Sequence, residues 1–303
     1  MNKLFIIGNG FDIAHHLPTK YKHFRKYLIK EYDNPYSYIP EEAIGPDGET
    51  ANYRHVAGLL INLFDGYYND EDWGDVEAAL PDLDYRQFLE DVNMENDDRN
   101  IYHTIYSNED AINNLGTCMP IMKELIHEWL ETVVIDVNTK KEFPNLINKD
   151  GLFLTFNYTD TLEKVYKINP KNICHIHGMI GQDIVFGHGK IDNLLEGAYS
   201  RYFISEVKLQ DVINSMLKDV DGCIAKHSTF FVNLSKEPIQ DIYSIGFAFA
   251  DVDLEYIREI CRRIDTSKVV WHLTQHNRKN NKIQEFEQTI KGCGFKGTFG
   301  QLI

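Results

Sequence analysis

Four short segments carry the groups in this sequence that are suited to chemistry. The first is Gly8-Asn9-Gly10-Phe11-Asp12, directly after the apolar run Leu4-Phe5-Ile6-Ile7. Glycines at the carboxyl end of a parallel strand let the backbone approach a phosphate. The helix that follows offers unpaired N–H groups and the positive end of its dipole. Position 13 is Ile, so the spacing is not a full GxGxxG, and the same glycines would also serve a tight turn at positive φ.

The second segment is Thr155-Phe156-Asn157-Tyr158, at the end of another apolar run. The Asn157 amide offers both a donor and an acceptor, enough to hold a water or a hydroxyl, or it only shapes the turn that follows. The third is His175-Ile176-His177-Gly178. On a strand, residues two apart share a face, which would set the two imidazoles side by side. His177, next to Gly178 at the expected strand end, is the better placed acid/base group. A metal reading would complete the pair with His188 and Asp12, and a structural reading leaves both histidines satisfied in the core. The fourth is Ile245-Gly246-Phe247-Ala248-Phe249, a second strand–glycine arrangement and so a second wall for the same crevice. Asp251 and Asp253 after it read as helix caps. Trp73 and Glu77, four apart, either lie near the site or pack. His272 and His276 share that spacing, but a strand there argues against a helical metal pair.

The elements that must position these groups alternate. Strands are expected at Leu4–Ile7, Gly151–Phe156, Asn172–Ile176, Asp183–Phe186, Ile242–Ile245, Val269–Leu273 and Phe295–Leu302. A short helix after the first glycine turn should stop near Leu17-Pro18, with Thr19 capping a second in which Tyr21, Phe24, Leu28 and Tyr32 share a face. Asp160 and Glu163 have the spacing of a capping box. Helical spacing also relates Trp73, Val76 and Leu80, then Ile121, Leu125, Trp129 and Val133. It recurs through Arg201–Lys226 and in Leu254, Ile257, Ile260 and Ile264. This alternation predicts a Rossmann-like, mostly parallel α/β sheet in a single domain over residues 1–303. A large helical acidic insertion is expected at about 34–149 and a second helical segment at about 190–235.

Composition narrows the function classes. With 31 Lys and Arg against 46 Asp and Glu, the formal net charge is −15. Fifteen acidic residues against two arginines fall between Asp65 and Asp110, leaving the rest close to neutral. That balance argues against nucleic-acid binding and leaves room for a small anionic ligand held by backbone amides. The five cysteines form no CxxC pair, which fits a reducing cytoplasm. No signal-peptide layout or membrane-length apolar run is present, so a cytoplasmic location with no membrane partner is expected.

The opening Ile7-Gly8-Asn9-Gly10-Phe11-Asp12 with Leu17-Pro18-Thr19, Trp73-Gly74-Asp75-Val76-Glu77, Phe156-Asn157-Tyr158-Thr159 and Gly246-Phe247 together resemble the phage abortive-infection AbiH family. The same order of motifs is more distantly similar to sirtuin-like domains: a glycine turn, then Thr155-Phe156-Asn157, His177-Gly178 and Gly246-Phe247-Ala248. That resemblance implies a sirtuin-related core. Gly8, Asn9, Gly10, Phe11, Asp12, Gly178 and Gly246 would line a nucleotide, with NAD as ligand or substrate. Asn157 and His177 would act at the nicotinamide ribose, with no metal. Three departures stand out. No zinc-binding cysteine pairs follow His177, Phe156 replaces a Gln, and Asp12 stands where sirtuins carry a small hydroxyl residue. The function implied is antiviral defence by cleavage of an N-glycosidic bond. The alternatives are a non-catalytic nucleotide-sensing module and a metal-dependent phosphoesterase using Asp12, His175, His177 and His188. The partners implied are a small-molecule nucleotide and either a second copy of the chain or a phage-derived trigger.

Overall fold

Leu4–Ile7 are all fully buried, which in a strand requires cover on both faces. A computed structural model describes residues 2–32, 53–69, 72–85, 101–140, 143, 147, 151–189, 203–274 and 282–300. In it this run is β1 (Lys3–Ile7), at the centre of a six-stranded sheet. The other strands are β2 (Leu152–Thr155), β3 (Ile173–His175), β4 (Asp241–Ile245), β5 (Val270–His272) and β6 (Thr298–Phe299). Every neighbouring pair is parallel, in the order β3-β2-β1-β4-β5-β6. The chain runs outward from β1 to β3, then returns to the far side of β1 for β4. The switch point of this doubly wound sheet therefore lies between β1 and β4, and crevices in such sheets open at the strands' carboxyl ends there.

Alternation along the strands splits the core in two. Leu4, Ile6, Leu154, Cys174, Ile242 and Trp271 pack on one face, against helices that carry Tyr256, Ile257, Phe286 and Ile290. Phe5, Ile7, Phe153, Tyr243 and Ile245 pack on the other, with Phe11, Leu162 and Tyr166. On this second face the Phe153, Phe5, Tyr243 and His272 rings stack across four strands at centroid spacings of 4.7, 5.2 and 4.5 Å.

By chain contacts the protein divides into two compact units, Met1–Thr19 with Leu130–Val185 and Asp219–Ile303, and Lys20–Trp129 with Phe186–Lys218. The first holds the sheet. The second is helical: α2 (Tyr21–Glu31), α3 (Tyr53–Tyr68), α4 (Val76–Ala79), most of α5 (Ile101–Glu131) and α7 (Phe203–Ser215). Its aromatic centre joins Phe24 to Trp129 at 5.4 Å and Phe64 to Trp73 at 5.0 Å. Arg25 is held there by two hydrogen bonds to Asp65, 2.8 and 2.7 Å, and the Trp73 indole N–H donates to the same carboxylate at 2.7 Å.

Several local expectations change. Lys20, not Thr19, occupies the cap position of α2, because the Thr19 hydroxyl donates instead to Asn9 Oδ1 at 2.7 Å. Trp73 precedes α4 rather than sharing a helix with Val76; Asp75 caps that helix by accepting from the Ala78 N–H. Asp183–Phe186 is not a strand. Its Val185 N–H donates to the His177 carbonyl, and Gly178 and Gly181 at φ near +80° have already turned the chain away from the sheet edge. Residues 86–100, His276 and Leu302, on which other expectations fell, lie outside the described residues. Among the described residues no helix is long and apolar enough to cross a membrane.

Candidate functional site

The two glycine turns meet at the switch point. Gly8 N–H donates to the Ile245 carbonyl at 3.0 Å and Gly10 N–H to the Gly246 carbonyl at 2.9 Å. A Cβ on Gly8 would lie 2.5 Å from the Gly246 oxygen, and one on Gly246, at φ +64°, 2.2 Å from the Phe11 nitrogen. Close backbone packing therefore accounts for these glycines. The Gly8 and Gly10 amides, expected to face a phosphate, are already bonded within the protein. Asn9 is engaged at both ends of its amide: Nδ2 donates to the Thr19 carbonyl at 2.8 Å, and Oδ1 accepts from the Thr19 hydroxyl. Phe11 is buried among the His15, Phe143 and Tyr166 rings. Gly178, at φ +81°, lies so close to the Asp183 carbonyl that a Cβ would come within 2.2 Å of it.

Asp12 follows on α1 (Gly10–Ala14) and is 1% exposed. One carboxylate oxygen accepts from Thr159 at 2.6 Å and the other from Thr161 at 2.9 Å. Burial pushes the Asp12 carboxyl up to about 6, outweighing the lowering effect of the two threonine hydroxyls, Asn157 and the nearby His175. The Asp12 carboxylate is thus enclosed by the loop between β2 and α6 (Thr161–Lys164) rather than facing a phosphate.

Asn157 itself is 6% exposed. Its backbone N–H donates to the Thr155 hydroxyl and its carbonyl meets His175 Nδ1 at 3.2 Å, so the loop is fixed around it. Its Oδ1 is buried and has no hydrogen-bond partner among the described residues. Buried acceptors are rarely left open.

The two histidines do not lie side by side. β3 ends at His175, and a turn through Ile176 sends the next side chain to the opposite face. His175 pairs through Nε2 with Glu163 at 2.8 Å. Its two ring nitrogens are thus taken up within the protein, which removes it as a metal ligand. His177, 3% exposed, places Nε2 3.2 Å from the Tyr256 hydroxyl and 3.6 Å from Asp253 Oδ1. Its ring meets Phe156 edge-on, and Phe156 packs on Phe247. Asp253 makes no side-chain cap for the helix it precedes, Leu254–Arg263, and Glu163 completes no capping box with Asp160. His188 belongs to the helical unit, where Nε2 donates to the Ile213 carbonyl at 2.9 Å. The metal-dependent reading with Asp12, His175, His177 and His188 therefore finds no assembled ligand set. Among the described residues no group of three or more His, Cys, Asp or Glu is arranged to hold a metal ion.

Sequence reading had no role for Thr159, Thr161, Tyr256 or the His175–Glu163 pair. The only signal was chemical: a buried Asp12 needs donors, and two threonines two apart follow the next strand.

Taken together, an all-parallel, doubly wound sheet with polar side chains gathered beside its switch point defines a Rossmann-like α/β protein with a helical unit. The profile of the bacteriophage abortive infection AbiH family matches residues 4–275, and the chain belongs to that family, one of phage abortive-infection defence. Neither the curated proteins nor the solved structures contain a match to it.

Proposed function

We propose that the carboxyl edge of this sheet binds NAD or a related nucleotide and hydrolyses its N-glycosidic bond, with Asn157 and His177 as the acting residues. The observation that carries this is the Oδ1 of Asn157, a buried acceptor with no hydrogen-bond partner among the described residues. An acceptor calls for a donor, and a ribose hydroxyl or a reacting water supplies one. In the reaction a water oxygen bonds to the ribose C1′ as the C1′–N bond breaks, and the bond's electron pair leaves with the base. His177 takes the water's proton, and the Asp253 carboxylate at 3.6 Å balances the imidazolium that results. Since the Gly8 and Gly10 amides are spent, a pyrophosphate must find its donors elsewhere on this edge.

Incubation of purified protein with NAD and infection-derived triggers, with products read by chromatography, tests the proposal. Nicotinamide release lost in Asn157→Ala and in His177→Ala, together with phage defence, supports it. No release, with defence intact in both variants, overturns it. The enclosure of Asp12 favours a second reading, a nucleotide sensor without turnover, since both oxygens of that carboxylate are already bonded to threonine hydroxyls rather than offered to a developing positive charge. That reading predicts saturable binding and thermal stabilisation with no product, and stoichiometric hydrolysis excludes it.

A further inference from the structure

We propose that His15 is an acid-operated latch: while neutral it closes a chain of hydrogen bonds that fastens Lys140 to α1, and protonation opens that chain. The latch involves no ligand and does not rest on the nucleotide reading above.

The direction of each hydrogen bond follows from what each partner can do. The Phe11 carbonyl only accepts, so the His15 nitrogen 2.7 Å from it, Nδ1, carries a hydrogen. Nε2 lies 2.6 Å from the Tyr166 hydroxyl, and the Lys140 backbone N–H donates to that same hydroxyl at 3.2 Å. With His15 neutral, the phenol proton goes to the bare Nε2. The chain then runs unbroken from Lys140 through Tyr166 and His15 to Phe11. A second proton on His15 would meet the phenol proton head-on across 2.6 Å. The phenol proton must leave the relay, and its oxygen then faces two donors in a buried place.

The surroundings oppose that second proton. His15 is 1% exposed, and the titratable groups facing it are the Tyr166 phenol, the Lys140 ammonium and His16. Asp12, on the same helix, has both oxygens bonded to threonine hydroxyls. The Phe143 ring, stacked on His15 at 5.7 Å, offers a cation a weak attraction. Burial outweighs it and, with the Lys140 and His16 charges, holds the imidazole below its usual 6.5 despite the Phe11 carbonyl. Lys140 is held a second time. Its ammonium can only donate, so His16 Nε2, 3.1 Å away, accepts while unprotonated. His16 makes this contact from a left-handed backbone, φ +61°, which is costly for a residue with a Cβ. The latch joins two passages of the chain within the sheet-bearing unit. His15 and His16 lie just before the chain leaves that unit after Thr19, and Lys140 lies shortly after it returns at Leu130. Residues 133–140 have no regular structure of their own, so this fastening holds an extended segment.

Because the folded value is lowered, the latch is fully closed above 6.5 and weakens as pH falls toward that value. Asp12 titrates near 6 in the opposite sense, its protonation favouring the folded chain, so the two effects are separable.

The free protein suffices for the test. In 15N spectra at about pH 7.5 the His15 ring should carry its hydrogen on Nδ1, with Nε2 bare, and should titrate below 6.5. Hydrogen exchange of the Lys140 amide, divided by its intrinsic rate at each pH, reads the latch itself. Protection should fall at least about threefold between pH 7.5 and 5, with a ceiling of about tenfold per pH unit. His15→Gln gives Tyr166 an acceptor that gains no proton and should lose most of that fall. Tyr166→Phe removes the acceptor and should leave Lys140 poorly protected at both pH values. Asp12 and His16 remain in His15→Gln, so a fall there as large as in the wild type belongs to them and overturns the proposal. A wild-type ring protonated at Nε2 near pH 7.5, or wild-type protection indifferent to pH, overturns it without any variant.

Discussion

Gly10 and Gly246 meet backbone to backbone: a Cβ on Gly10 would lie 2.7 Å from the Gly246 Cα, and the Gly10 N–H donates to the Gly246 carbonyl at 2.9 Å. This contact locks the turn after β1 to the turn after β4. Gly246→Ala combines a left-handed φ of +64° with a Cβ 2.2 Å from the Phe11 nitrogen, and nothing flexible is there to yield. We expect a loss of at least about 3 kcal/mol of stability, or failure to fold. Denaturant unfolding checks this, and a loss below about 1 kcal/mol would contradict it.

That contact also shows where the sequence was readable. An apolar run ending in Gly-x-Gly announces a central parallel strand, because only burial on both faces tolerates Leu4–Ile7 without alternation. A glycine's neighbour is not in the pattern, however. Backbone approaching a phosphate and backbone approaching another turn demand the same missing Cβ, so Gly8-Asn9-Gly10 did not distinguish them. His175 and His177 failed for a related reason. Their period of two holds only while the strand lasts, and β3 stops after three residues. Glu163 has capping-box spacing, yet a histidine twelve residues on in the chain competes for it, and a charge-assisted bond wins over a cap. The position of Asn157 was legible because strand ends are, while the absence of a partner for its buried Oδ1 depends on the neighbours the fold brings, which no spacing in the sequence encodes.

Asp12 makes stability depend on pH in a definite direction. Its carboxyl rises from 3.8 to about 6 on folding, so between those values the folded chain keeps a proton that the unfolded chain has released. Its contribution is full below about pH 4, falls as pH rises through about 6, and is flat beyond. Between pH 4.5 and 7 the stability difference between wild type and Asp12→Asn should shift by roughly 2 kcal/mol against the wild type. Urea unfolding of both proteins at the two pH values measures it. An unchanged difference means that Asp12 titrates alike in both states.

The His177 surroundings give a catalytic prediction. Asp253 makes no cap for the helix it precedes and stands 3.6 Å from His177 Nε2, where a proton taken during hydrolysis would need a counter-charge. Asp253→Asn should lower nicotinamide release by about ten- to a hundredfold with little change in melting temperature. Tyr256→Phe removes a hydrogen bond at 3.2 Å and should cost less. Single-turnover assays with NAD read both, and an Asp253→Asn protein as fast as the wild type would remove the aspartate from the mechanism.

The tryptophan-containing segment serves the helical unit through a different device. Arg25 is nearly fully buried and reaches Asp65 through two parallel hydrogen bonds, and Trp73 donates to the same carboxylate. Taking away Arg25 leaves the part-buried Asp65 carboxylate without its cation, and water reaching it offsets part of the loss, so Arg25→Met should cost about 1–3 kcal/mol. Removing both charges in Arg25→Met with Asp65→Leu leaves no stranded ion and should cost less than the sum of the single changes. Trp73→Phe keeps most of the ring packing against Phe64 and gives up the indole hydrogen bond, a loss of about 1–2 kcal/mol. A double-mutant cycle by chemical denaturation resolves the coupling. Strict additivity of the two charge removals would show that Arg25 and Asp65 are held by their separate surroundings.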